Sequence, residues 1–326
     1  MKTRNIIRLL GLTLFMVLVS SCAQSTENAT TPLPSETTLS PTPTATPLPS
    51  FTPLPIDSPI PTSTPTMIWT LPAEEARTRL LDLLASNGNC RLPCLWGIMI
   101  GRSSFQDVRA ILMPLSSLSY SVYLDSPELG GIIPRYTEGE LEIYTAVGFI
   151  TNPGDEIVNH VTFDAEAHRP VQEGGYEDIF DSKYFGEKVS TYALPHVLSE
   201  QGIPSSVMIA TFGGPLTRGG TGGFDILLLY PEQGILVNYT TQMHLVGANV
   251  RGCPPNAHVE MELYPPGNSD SFFERLKQTD WSVKMGYYKP VEEATSISLE
   301  EFYQTFREPT DTCIETLANL WPVSEP

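Results

Sequence analysis

The chain has 326 residues, with 19 Lys and Arg against 37 Asp and Glu, a formal net charge of −18. A surface this acidic repels phosphate backbones and anionic headgroups, which excludes nucleic acid as a partner and charge-driven attachment to a membrane surface. Solubility, or the attraction of cations and basic proteins, remains as the use of that charge.

Lys2, Arg4 and Arg8 make a basic start, and an apolar stretch runs from Ile6 to Val19. The stretch is too short for a comfortable span and no stop-transfer pattern follows, so residues 1–21 read as an export signal. It ends in Val19-Ser20-Ser21-Cys22, which resembles the lipobox of bacterial lipoproteins. That resemblance implies a lipid on Cys22, which becomes the new N-terminus and ties the protein to the membrane. An uncleaved anchor is the alternative, and both put the remainder outside the cytoplasm. Without residues 1–21, 16 basic residues face 37 acidic ones, a charge of −21. Residues 22–66 are Thr, Ser and Pro with scattered Leu. Proline lacks the amide donor, so this segment is expected to be a disordered, polyproline-like stalk reaching about 130 Å at about 3.1 Å per residue.

The folded part, about 250 residues, is long enough for a sizeable core. Residues 67–175 are expected to form a first α+β unit. Pro72 suits a first helical turn, Ala76, Leu80, Leu83 and Leu84 make one apolar stripe, and Asn87-Gly88 closes it. Ser103-Ser104-Phe105-Gln106 reads as a capping box opening a second helix, with Phe105, Val108, Leu112 and Leu115 on one face. Strand-like runs follow at 120–124, 141–150 and 156–163, the last two joined by the turn signal Asn152-Pro153-Gly154.

Residues 176–326 are expected to form a second, similar unit with a helical C-terminal extension. A short helix over 195–201 ends in Gly202-Ile203-Pro204, with the glycine as a left-handed cap. Strands are expected at 206–212, 224–230, 234–239 and 259–264. The extension reads as helix over 271–278 and again after the capping box Ser298-Leu299-Glu300-Glu301, which leads into Phe302 and Phe306. The fold class is therefore α+β: two similar helix-plus-antiparallel-meander units, their helices on one sheet face, with a helical C-terminal segment.

Besides Cys22 there are Cys90, Cys94, Cys253 and Cys313. An even number outside the cytoplasm points to disulfides. Three pairings exist; closeness in the chain favours Cys90–Cys94, with Cys253–Cys313 as the second bridge. Cys90-Arg91-Leu92-Pro93-Cys94 is a poor metal site, having no further Cys or His near it, and its spacing is one residue too long for a thioredoxin-type motif.

His258, Glu260 and Glu262 fall on one face of a strand. They are either a metal or acid–base cluster or the solvated face of a half-buried sheet. The glycine-rich run 213–223, with Arg218 as its lone charge, is either a mobile hairpin loop or a binding loop. A phosphate cradle would need a helix after it, and a strand follows instead. Trp281, Tyr287 and Tyr288 could stack on sugar faces or pack a core. Neither a Gly-x-Ser-x-Gly elbow nor His-Glu-x-x-His is present, so no catalytic residue, metal ligand or cofactor is assigned.

A helix, Gly-x-Pro and an antiparallel meander, together with Gly101-Arg102-Ser103-Ser104-Phe105-Gln106-Asp107-Val108, resemble the BamE (SmpA/OmlA) type of envelope lipoprotein module and its tandem relative, the beta-lactamase inhibitor protein. The first unit lacks a clear Gly-x-Pro and the second lacks the opening glycine segment. The stalk and the Cys-x-Leu-Pro-Cys-x-Trp-Gly segment also resemble envelope lipoproteins of Chloroflexi-like bacteria. The resemblance implies protein–protein contact without chemistry. The expectation is a lipid-anchored extracytoplasmic protein that binds or scaffolds another envelope protein. An extracytoplasmic hydrolase using Glu260 and Glu262, or a glycan or small-ligand module using the C-terminal aromatics, are the alternatives.

Overall fold

The computed structural model describes residues 69–170, 176–179, 183–212, 222–255, 257–267 and 269–321. Helix α1 (Ala73–Ser86) buries Ala76, Leu80, Leu83 and Leu84, the stripe the sequence marks, and begins one residue after Pro72, which takes the N-cap position. Asn87 ends it in the left-handed conformation. Its side chain then organises the next loop: Nδ2 donates to the carbonyls of Cys90 and Cys94, both at 2.8 Å, and Oδ1 accepts from the Trp96 amide at 2.9 Å. Trp96 Nε1 donates to Tyr192 Oη at 2.9 Å, so this loop is fastened to the second half of the chain.

Helix α2 (Phe105–Leu112) has the expected capping box, shifted by one residue: Ser104 is the cap and Asp107 closes the box. Ser103 is already engaged, its hydroxyl accepting from the Met99 amide at 3.0 Å. Phe105, Val108 and Leu112 are buried, and Leu115 follows them inward from a 3-10 turn beyond the helix.

Four antiparallel strands come next: β1 (Ser119–Tyr123), β2 (Leu129–Glu138), β3 (Leu141–Thr151) and β4 (Val158–Pro170). The sequence reading lacks β2. A short β5 (Tyr176–Asp178) pairs with the end of β4 and so stays with the first half, although the boundary expected at 175/176 assigns it to the second. Helices α3 (Lys183–Lys188) and α4 (Leu194–Gln201) lead to β6 (Ser206–Phe212), β7 (Gly223–Tyr230), β8 (Ile235–Val246), β9 (Asn249–Gly252) and β10 (His258–Leu263). Gly202 caps α4 at φ 83 and ψ −157. That is an extended, glycine-only conformation and not the left-handed cap expected.

The main sheet runs β1-β2-β3-β4-β10-β8-β7-β6-β11, where β11 is Lys289–Pro290. Strands β4 and β10 join the two halves, with Phe163 opposite Met261. One hydrophobic core holds the inner-face residues of both halves, including Val161, Phe163, Val237, Ile226, Val259 and Met261. It also takes Leu83, Val108, Phe185 and Leu198 from α1 to α4, and Phe302 and Phe306 from α8 (Leu299–Phe306). A second cluster forms on the opposite face of β6, β7 and β8. Leu227, Leu229 and Leu236 there meet Phe272 and Leu276 of α5 (Ser269–Leu276) and Trp281 of α6 (Trp281–Lys284). Helices thus cover both faces of the second half, where one face was expected. The chain returns through α7 (Val291–Ala294) and α8 to β12 (Ile314–Leu317), which pairs with β9. Among the described residues no helix is long and apolar enough to cross a membrane.

Candidate functional site

Cys22, the stalk and Arg218 lie outside the described residues. The remaining cysteines pair as expected: Cys90 with Cys94 at a Cα separation of 5.8 Å, and Cys253 with Cys313 at 4.2 Å. The second bridge continues the β9–β12 ladder, because Gly252 faces Ile314 one residue away.

His258, Glu260 and Glu262 do share the outer face of β10, but they enter three different environments. His258 is buried against the ring of Phe185, 5.7 Å away, with Nε2 3.2 Å from the Ile179 carbonyl. Glu262 contacts His160, whose ring stacks on Tyr264 at 4.6 Å. Only Glu260 reaches an open cleft. The trio is therefore not one acid–base cluster, and among the described residues no set of three or more His, Cys, Asp or Glu side chains is placed to hold a metal ion.

That cleft, of about 460 Å³, lies between the outer face of the second half and the segment that begins with α6. Asp225 (β7), Asn238 and Thr240 (β8) and Glu260 (β10) form its floor. The register explains why they meet: Asp225 faces Thr240 and Asn238 faces Glu260 across adjacent strands, with side chains alternating outward. Trp281, Lys284, Tyr287 and Tyr288 form the roof. Strand β11 holds the roof in place, since Lys289 and Pro290 pair with Ile209 and Met208 directly after Tyr288. Phe212 stands at the edge, its ring filling the space a side chain on Gly223 would need.

The polar groups form a connected set. Thr240 Oγ1 donates to Asp225 Oδ1 at 2.7 Å, and Tyr288 Oη donates to Asp225 Oδ2 at 2.8 Å. Asn238 Nδ2 donates to Thr240 Oγ1 at 3.3 Å. Lys284 Nζ lies 3.3 Å from Glu260 Oε1 and 4.3 Å from the centre of the Trp281 ring. Burial pushes the Asp225 carboxyl above its ordinary range, against the hydrogen bonds from Thr240 and Tyr288. Burial also raises Glu260, with Lys284 opposing it and Glu262 and Asp225 adding to it. Burial, then the Asp225 charge, holds the Tyr288 hydroxyl protonated and donating. The buried Trp281 Nε1 has no hydrogen-bond partner among the described residues.

Sequence reasoning grouped Trp281, Tyr287 and Tyr288, named Glu260 apart from them, and missed Asp225, Asn238, Thr240 and Lys284. One signal was available: Asp225 is the only charged residue in the apolar run 224–230.

Two other surfaces stand out. A cleft of about 790 Å³ on the helical side is walled by Val189, Leu194, Pro254, Pro255 and Phe306. At the β1 edge of the sheet, Tyr120, Tyr123 and Leu129 are 70%, 63% and 63% exposed. Comparison with known protein families, with curated proteins and with solved structures finds no match for this chain.

Proposed function

We propose that this protein is a lipid-anchored, extracytoplasmic glycan-binding module without chemistry of its own. One observation carries the reading: Trp281, Tyr287 and Tyr288 line a single cleft with Asp225, Asn238, Glu260 and Lys284. Aromatic faces suit the apolar faces of sugars, and converging donors and acceptors suit their hydroxyls. Tyr287 is 65% exposed, so Tyr287→Ala removes a stacking face with little effect on the fold. Binding of soluble oligosaccharides by the full protein should weaken at least about tenfold in that variant. A protein that binds no saccharide in an array screen would end the reading.

The anchor rests on Val19-Ser20-Ser21-Cys22 and the stalk behind it. Mass spectrometry should find an acylated Cys22 at the mature N-terminus. A Cys22→Ala protein that stays in the membrane with its signal uncleaved would speak for an uncleaved anchor instead.

The halves read as two copies of one unit. In support, a helix precedes each meander (α2 before β1, α4 before β6), and the orders β1-β2-β3-β4 and β6-β7-β8-β10 both run inward to the shared seam, with β11 added outside β6. Strand-for-strand superposition tests the duplication, and halves that align only out of order would remove it.

Protein contact, the role implied by the BamE-type resemblance, keeps support from the exposed Tyr120, Tyr123 and Leu129. Co-purification from native membranes, lost on Tyr120→Asp, would favour that second reading. The hydrolase alternative loses Glu262 to its contact with His160.

A further inference from the structure

The charges in the cleft narrow its ligand. Two carboxylates, Asp225 and Glu260, face one ammonium, that of Lys284. Asp225 is satisfied by two neutral donors, Thr240 and Tyr288, and gains no direct counter-charge from them. Lys284 bonds Oε1 of Glu260, which leaves Oε2 for a ligand. Lys284 also marks what this wall accepts, since its ammonium rests between a carboxylate and the face of an indole. The exposed ring of Tyr287 stands in the same lining and gives the cleft an apolar face beside these charges.

We propose that the cleft selects saccharides carrying a free ammonium group, unacetylated amino sugars, over neutral and acidic ones. This rests on the glycan-binding reading. The ammonium pairs with Glu260 beside Lys284, and the sugar face lies against the exposed Tyr287. A second cation in the cleft offsets the burial penalty that raises both carboxylates. Acetylation removes that charge, so the ion pair with Glu260 is replaced by a bond from a neutral amide donor. Acidic sugars are opposed by the cleft and by the net charge of the chain.

The test is titration calorimetry on the full-length protein in detergent, below the pKa of the sugar amine. The ligands are glucosamine and N-acetylglucosamine oligomers of equal length, with spermidine as a cation that has no sugar ring. The amino form is expected to bind at least about tenfold more tightly than the acetylated form. Glu260→Gln, an isosteric change at a partly exposed side chain, should close the gap, with an unchanged urea midpoint as the folding control. Equal binding of the two sugars overturns the proposal and leaves the glycan reading standing. Binding of neither overturns both. Spermidine binding as tightly as the amino sugar also overturns the proposal, because the cleft would then be a plain cation site.

Discussion

Strands β3 and β4 and strands β7 and β8 belong to one sheet and feed one inner core, yet their sequences read differently. In β4, buried and half-buried residues alternate from Val161 to His168, with Thr162, Asp164, Glu166 and His168 facing outward. In β7 all eight residues are buried, and Leu227 and Leu229 take the outward positions. The cause is the layer above: α5 and α6 cover the outer face of the second half. A sheet exposed on one face alternates, and a sheet covered on both becomes continuously apolar. A polar residue in the covered region must then find partners or line a cavity, which is the position of Asp225 and Asn238.

The contrast can be broken most strongly at Trp281, which is almost wholly buried in the outer layer. Trp281→Ala should cost about 3–5 kcal/mol in urea unfolding, the usual range for losing a buried ring. Tyr144→Ala, on the uncovered outer face of β3, should cost under about 1 kcal/mol. Equal losses would mean that the outer layer adds nothing to the second half.

The two bridges give the next largest difference. Cys253 and Cys313 close a loop with a sequence separation of 60, and Cys90 and Cys94 close one of 4. By loop entropy, replacing the first pair with serine should cost about 4 kcal/mol and the second about 2 kcal/mol. A reversed order would show that the short bridge holds the Asn87–Trp96 loop against more than chain entropy.

The covered face should also respond to pH. Asp225 has its folded pKa raised by burial above the ordinary 3.8. A carboxyl of this kind binds its proton more tightly when folded, so its contribution is complete below the unfolded pKa and is lost as pH rises through the folded one. Stability followed upward from about pH 4 should carry a falling component that Asp225→Asn removes. An unchanged slope in the variant would mean that Asp225 ionises in the folded protein without penalty.

Legibility followed the same divide. Helices with a cap and an apolar stripe, α1, α2 and α8, could be read because both signals are local. Strand β2 was missed because Gly130, Gly131 and Pro134 look like breakers. In the sheet Gly131 faces Gly148, and a side chain on it would come within 2.4 Å of the Val147 carbonyl, so the glycine serves close strand approach. Strands β9 and β12 were missed because each is four residues long, and β12 finds its partner β9 about 60 residues back in the chain. The cleft needed three strands in register with a roof from another segment, and no local pattern encodes that meeting. Its aromatic wall was legible, and of its polar floor only Glu260 was.

The smallest expected effect is a sameness between regions. Ser104 with Asp107 and Ser298 with Glu301 build the same capping box at α2 and α8, one in each half of the chain. In both, the serine hydroxyl accepts from the third residue's amide, at 3.3 Å for Asp107 and 3.2 Å for Glu301. The acidic side chain accepts from the serine amide at 2.8 Å in each. Both boxes are exposed, and each helix sends two phenylalanines or a phenylalanine and aliphatics into the same inner core. Ser104→Ala and Ser298→Ala should therefore each cost about 1 kcal/mol, within about 0.5 kcal/mol of one another. The double variant should show the sum, since the sites share no partner. A Ser104 loss well above that of Ser298 would point to the Ser104–Ile157 bridge beside the cap, which ties α2 to the turn before β4. The cap would then also hold α2 onto the sheet.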